Sequence, residues 1–228
     1  MKTLNEIAKI HGTDKSSKVH DYCRKYEKYF SFKRDEPLTI LEIGVLKGES
    51  LRMWKEYYPQ SQIIGIDIEP ASKLYSEEER IIIEIGSQTD PEFLKTISQK
   101  YGPFDMILDD GSHVNSDVIY SFQYLFDSVK PGGIYVVEDT CTSYWESYGG
   151  GLPRTKVTTI EYFKDRIDEV NFLGEHVMYD PLNISSHNYT ARKDSVLLNQ
   201  YRMKGYVCIG TEIESINFLN SIIIITKR

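Results

Sequence analysis

From Leu38 onward the chain alternates short apolar runs with amphipathic stretches, and this alternation sets the architecture. Residues 38–43, 62–68, 80–85, 104–108 and 133–137 read as strands, and 49–58, 91–100, 114–128 and 157–172 carry helical spacing. Buried strands separated by helices predict βαβ units and a mostly parallel sheet, an α/β doubly wound, Rossmann-like fold. Pro131-Gly132-Gly133 is a turn that launches the fifth strand. At the end, 213–218 and 221–226 flank Leu219-Asn220, which predicts an antiparallel hairpin. Ahead of the sheet, residues 1–36 are polar and rich in Lys and Tyr, with helical spacing at Leu4, Ile7 and Ala8 and again at Tyr22, Tyr26 and Tyr29. Pro37 closes this segment, which reads as a helical lid on a main domain of residues 37–228. Residues 140–151 form a loop with aromatics inside and three glycines at its end, and 173–212 carry no clear period.

Composition narrows the function classes. With 27 Lys+Arg against 34 Asp+Glu, the net charge of −7 disfavours nucleic acid as a partner. Cys23, Cys141 and Cys208 are far apart and form no metal or disulfide pattern, which fits reduced thiols and a cytoplasmic setting. The N-terminus lacks an apolar signal core, and the run from Ile222 to Ile225 is far short of the roughly 20 residues of a membrane span. The Asn-x-Ser/Thr triplets at Asn183 and Asn188 mean nothing without a secretory signal.

Candidate chemistry gathers at the predicted strand ends. The first strand runs into Glu42-Ile43-Gly44-Val45-Leu46-Lys47-Gly48, where glycines allow a tight turn and close approach of a ligand, or serve the turn alone. Asp67 ends the second strand, 23 residues after Gly44. An acid at that interval accepts hydrogen bonds from ribose hydroxyls; the plain alternative is an exposed strand-end carboxylate. The fourth strand ends in Asp109-Asp110-Gly111-Ser112-His113 and the fifth in Glu138-Asp139. Parallel strands put these on one rim, where clustered carboxylates repel unless a cation or proton is shared. A hard divalent ion such as magnesium on Asp110, Glu138 and Asp139 answers that; capping of the following helices is the alternative. His113, on the same rim, suits a general base near neutrality, or packs on its loop. Ser112 lacks the surroundings of a nucleophile elbow.

Taken together, Ile40 to Val45 with Gly48 and Ser50-Leu51, Gly65-Ile66-Asp67-Ile68, Asp109 to His113, Leu125-Phe126, Lys130 to Gly133, Glu138-Asp139 and Thr142 to Trp145 resemble the class I S-adenosylmethionine-dependent methyltransferases. The chain is most similar to their metal-dependent sugar O-methyltransferases of the mycinamicin and tylosin tailoring type, a branch that Gly12-Thr13-Asp14-Lys15, His20, Tyr22 and Tyr26 also fit. The resemblance covers about residues 5–150 and implies S-adenosylmethionine and Mg2+ or another hard divalent ion as cofactors. It assigns Glu42, Gly44, Gly48, Asp67, Ser87, Gln88 and Asp109 to the cofactor, Asp110, Glu138 and Asp139 to the metal, and catalysis to His113 and Asp110. Leu46 replaces the middle glycine of the wider superfamily, and Ser87 stands where the family often has Asp, which removes a carboxylate from the adenine side.

The expected reaction is methyl transfer to a sugar hydroxyl, with Tyr144 and Trp145 packing on the sugar or anchoring the loop, and a variable acceptor-site segment near 140–212. Richness in Ile, Lys and Tyr tilts the acceptor toward a nucleotide-activated or surface-polysaccharide sugar rather than a glycosylated natural product. The branch also implies a homo-oligomer. The rivals are a catechol-type O-methyltransferase, a nicotinamide-dependent oxidoreductase, which the missing GxGxxG disfavours, and a non-catalytic nucleoside-binding protein.

Overall fold

The structure is a computed structural model that describes residues 2–76, 78–172 and 212–228. Cys208, Asn183 and Asn188, and most of the proposed acceptor segment, lie outside the described residues. Seven strands form one sheet: β1 (Thr39–Ile43), β2 (Gln62–Asp67), β3 (Ile81–Ile85), β4 (Phe104–Asp109), β5 (Val129–Val137), β6 (Ile213–Leu219) and β7 (Ile222–Lys227). Their order is β3-β2-β1-β4-β5-β7-β6. The first five are parallel, and β7 runs antiparallel between β5 and β6. The chain winds outward from β1 to β3, then crosses back to β4, so the switch point lies between β1 and β4, where such sheets open a binding crevice.

Successive strand residues feed opposite cores. Ile40, Met106, Ile222 and Ile224 pack under α1 (Leu4–His11), α2 (Tyr22–Phe30) and α3 (Glu49–Tyr57). Leu41, Ile107, Ile223 and Ile225 pack under α4 (Pro91–Tyr101), α5 (Asn115–Leu125) and α6 (Thr159–Phe172). The four consecutive isoleucines of β7 are thus a strand buried on both faces.

The N-terminal helices belong to this packing. Leu4, Ile7, Tyr22, Cys23, Tyr26 and Phe30 are buried in the same core as Trp54 and Ile40. A capping box between Thr3 and Glu6 starts α1, and Gly12 ends it at φ +81°.

Two local features differ from the sequence reading. β5 begins at Val129, because Val129 pairs with Phe104 before a register shift carries the pairing to Met106 and Ile134. Pro131-Gly132-Gly133 is therefore an irregularity inside the strand rather than a turn before it. A 3-10 turn, Pro70–Ser76, follows β2 and brings Tyr75 to the crevice. Among the described residues no helix is long and apolar enough to cross a membrane.

Candidate active site at the carboxyl ends of the strands

A cleft of about 720 Å³ opens at the switch point, a size suited to a small-molecule ligand. Gly44, Asp67, Ser87, Gln88, Asp110, His113 and Asp139 line it. Glu42, Gly48, Asp109, Glu138, Tyr144 and Trp145 do not; they stand behind its wall or beyond its rim.

One end is built from the loop after β1. Gly44 sits at φ +89°, and a Cβ there would meet the carbonyl oxygen of Asp110 at 2.1 Å. Its glycine is needed so that two strand-end loops touch. Gly48, at φ +70°, caps the start of α3. Asp67 closes the loop: Oδ2 accepts from the N–H groups of Val45 at 2.8 Å and Leu46 at 2.9 Å, and Oδ1 accepts from Glu69 N–H at 2.8 Å. Burial raises its pKa, but these backbone donors outweigh it and hold the carboxylate below its usual value. Ser87 pairs with Thr89 Oγ1 at 2.9 Å. Gln88 is a bracket: Nε2 donates to Ser121 Oγ at 2.8 Å and to Asp109, while Oε1 accepts Ser112 N–H at 2.8 Å. Asp109 is buried under that bracket, and burial pushes its carboxyl up to about 7 against the donors from Gly111 and Gln88.

The other end is the acid cluster. His113 and Asp139 both adopt left-handed backbone, at φ +55° and +49°, a conformation uncommon outside glycine. His113 Nε2 lies 3.6 Å from Asp139 Oδ2 and 4.0 Å from Asp110 Oδ1. One ligand atom from each of Asp110, His113 and Asp139 falls within 4.8 Å of the others.

The opposite oxygens are tied back to the N-terminal segment. Asp110 Oδ2 accepts from Lys15 Nζ, and Asp139 Oδ1 accepts from the Tyr22 hydroxyl. Glu138 has both oxygens engaged, Oε2 by Lys15 at 2.9 Å and Oε1 by the Tyr26 hydroxyl at 2.5 Å. Lys15 is 1% exposed. Burial works against its charge, but Asp110, Glu138 and Glu42 outweigh it and hold the ammonium pKa well above the usual value. The shared cation of the rim is thus, in the first place, Lys15. Glu42 receives Trp54 Nε1–H on Oε2 at 2.7 Å, whereas its buried Oε1 has no hydrogen-bond partner. Burial first, then Asp110, push Glu42 up to about 7 despite Lys15. The carboxylate oxygens of Asp110 and Asp139 that face the cleft are donors that suit a hard divalent ion, with His113 beside them.

The methyltransferase-domain family matches residues 41–140 of this chain. Mycinamicin VI 2''-O-methyltransferase of Micromonospora griseorubida is 43% identical over 176 residues, 73% of this chain and 44% of that protein. Demethylmacrocin O-methyltransferase of Streptomyces fradiae is 39% identical over the same shares. The MycE methyltransferase from the mycinamycin pathway, solved with Mg and SAH, superposes with a TM-score of 0.80 at 32% identity, over 99% of this chain and 53% of its own. Residues 41–140 are thus a methyltransferase domain, on the Rossmann-like methyltransferase fold. The chain spans less than half the length of either of these two curated relatives.

At this site the residues without an assigned role in the sequence were Lys15, Tyr22 and Tyr26. The signal that points to them is indirect. A rim with four acids demands a buried cation and donors, and Lys15 with its tyrosines lies in the one amphipathic segment outside the βαβ pattern. Tyr144 and Trp145 are about half exposed, at 49% and 51%, and Trp145 pairs with Tyr148 at 5.8 Å between ring centroids.

Proposed function

We propose that this chain transfers the methyl group of S-adenosylmethionine to a sugar hydroxyl, assisted by a hard divalent ion, with His113 as general base. The observation that carries the reading is the convergence of Asp110, His113 and Asp139 in the cleft whose other end is the Gly44–Asp67 loop. The relatives named above support it: the two curated proteins are named as O-methyltransferases, and the MycE structure contains Mg, SAH and, in one complex, mycinamycin VI.

In this reading Gly44, Asp67, Ser87 and Gln88 would hold the cofactor, and Asp110, Asp139 and, behind them, Glu138 would hold the ion. When bound, the cofactor supplies an electrophilic methyl group and the ion supplies charge that lowers the pKa of the acceptor hydroxyl. The chain's own residues do the rest. Asp67 clamps Val45 and Leu46 and so fixes the loop that would line the cofactor's end of the cleft. His113 takes the hydroxyl proton at Nε2 as the acceptor oxygen forms its bond to the methyl carbon and the carbon–sulfur bond breaks. Asp139, 3.6 Å away, stabilises the imidazolium that results. Tyr22 holds Asp139 from the far side, so its free oxygen faces the histidine.

The test is calorimetric titration with S-adenosylmethionine, with and without Mg2+, on the wild type and Asp67→Ala. Saturable binding that the substitution weakens supports the reading; no binding by folded protein sinks it. Mass spectrometry with an acceptor panel of a glycosylated macrolide, nucleotide sugars and a catechol then fixes the acceptor class. Methylation of the catechol alone would replace the sugar reading.

A further inference from the structure

One corner of the cleft, where the loop after β3 meets the start of α5, plays no part in the proton transfer. Ser87, Gln88, Ser112 and Asp117 line it. A chain of contacts holds them together. Gln88 Oε1 accepts Ser112 N–H at 2.8 Å, and Ser112 Oγ donates to Asp117 Oδ2 at 3.0 Å. Asp117 Oδ1 accepts from Ser116 Oγ at 3.1 Å. Asp117 is half-buried in the first turn of α5, where an acid suits the helix dipole. That role asks only for a place near the helix start; this carboxylate also lines the cleft and is steered by two hydroxyls.

The polar groups around it are already committed. Gln88 Nε2 donates to Ser121 Oγ at 2.8 Å and to Asp109 at 3.3 Å. Ser87 Oγ pairs with Thr89 Oγ1 and accepts Thr89 N–H at 3.2 Å. Asp67 accepts from the backbone N–H groups of Val45, Leu46 and Glu69. A carboxylate offers about four lone-pair sites, so Asp117, with two hydroxyls bound, keeps acceptor capacity to spare. With the methyl group at the His113 end and the ribose by Asp67, the base of the cofactor extends toward β3, the next strand outward, and so into this corner. Ile68, next to Asp67 and 72% exposed, lines the cleft and offers an apolar face to a flat ring.

We propose that Asp117 reads the base of the cofactor: its carboxylate accepts a hydrogen bond from the exocyclic amine of adenine and rejects a base that carries a carbonyl there. The inference rests on the S-adenosylmethionine-dependent reaction proposed above. An ionised carboxylate only accepts, and a charged acceptor makes the stronger hydrogen bond. Against the carbonyl oxygen of hypoxanthine, it meets lone pairs where it needs a donor. A site built to bind an N–H group therefore discriminates against the analogue that lacks it. Ser112 is the positioning partner, with its hydroxyl on Asp117 and its N–H on Gln88.

The experiment is calorimetric titration of the whole chain with S-adenosylhomocysteine and with its deaminated counterpart, S-inosylhomocysteine. The wild type is expected to prefer the adenine compound by about 10–100-fold. Asp117→Asn keeps the size and an acceptor for Ser112 but adds an amide that donates to a carbonyl, so the preference is expected to fall to about threefold or less. Asp117→Ala is expected to lose it as well, through weaker binding of the adenine compound. Ser112→Ala leaves the carboxylate in place and is expected to keep a preference of about tenfold. Equal affinity of the wild type for the two compounds overturns the inference without any variant. So does a preference that survives in both Asp117 variants, or one that Ser112→Ala removes as fully as Asp117→Ala does; each of these leaves the proposed reaction standing. No binding of S-adenosylhomocysteine by the folded wild type overturns the S-adenosylmethionine reading, and this inference with it.

Discussion

Asp67 and Glu138 are both carboxylates at the carboxyl ends of parallel strands in one sheet, and they are held in opposite ways. Asp67 is satisfied by backbone N–H groups of the loops it joins, from Val45, Leu46 and Glu69. Glu138 is satisfied by side chains that arrive from the N-terminal segment, Lys15 and Tyr26, at sequence separations of 123 and 112 residues. The clamp at Asp67 is thus local and made of main chain, whereas the clamp at Glu138 is long-range and made of side chains. A backbone clamp keeps its donors under almost any substitution nearby. A side-chain clamp fails when one partner is changed, and leaves a buried acid unpaired.

The largest expected effect separates the two ends directly. His113→Ala should lower the methyl-transfer rate by about 10²–10⁴-fold, in steady-state kinetics, with cofactor affinity unchanged. Full activity in that variant would remove the base from the acid end. Gly44→Ala should break both ends at once, because its Cβ meets Asp110 O at 2.1 Å and the backbone is left-handed. A loss of about 2–5 kcal/mol in denaturant unfolding is expected, from overpacking and the strained φ together. Tyr26→Phe should touch the acid end alone: Glu138 Oε1 loses its donor, and metal affinity should fall about 10–100-fold while S-adenosylmethionine binding holds. Equal weakening of both ligands would show that the two ends are not independent.

The smallest effect is a control away from the cleft. Hydrogen bonds from Lys100 and Tyr101 hold Glu84 at about 2, below its usual 4.5, against its partial burial. A carboxylate depressed on folding contributes stability above about pH 4.5 and loses it as the pH falls toward 2. Glu84→Gln should therefore flatten that part of the melting-temperature profile and leave both ligands' binding intact.

The same contrast decides what was legible in the sequence. Strands β1 to β5 and the helices between them follow from apolar runs and helical spacing, and the meeting of the Gly44 loop with Asp67 follows because they belong to consecutive strand ends. The isoleucines 222–225 announce a strand but not its neighbour; insertion of β7 beside β5 depends on the whole sheet. The register shift near Pro131 was hidden because a Pro-Gly-Gly run reads equally as a turn. Lys15 was the least visible. Its burial requires α1 and α2 to pack on the sheet, and a lysine among polar residues carries no mark of that. The clustering of acids on one rim, and the need for a cation there, was legible; which cation came first was not.

The turn of the β6–β7 hairpin bears on how the chain reaches this state. Ser221 O accepts Thr140 N–H, one residue past Asp139, and Asn220 O accepts from Lys25 on α2, 195 residues away in sequence. The rim therefore closes only when segments from both sides of the sheet have met. Contacts of such separation form slowly, because chain entropy is lost before they are rewarded. The sheet can condense around its apolar residues while the four acids are still hydrated. Dehydration of Lys15 together with its carboxylates is then expected among the last events of folding, and the protein becomes competent to bind metal later than it becomes compact.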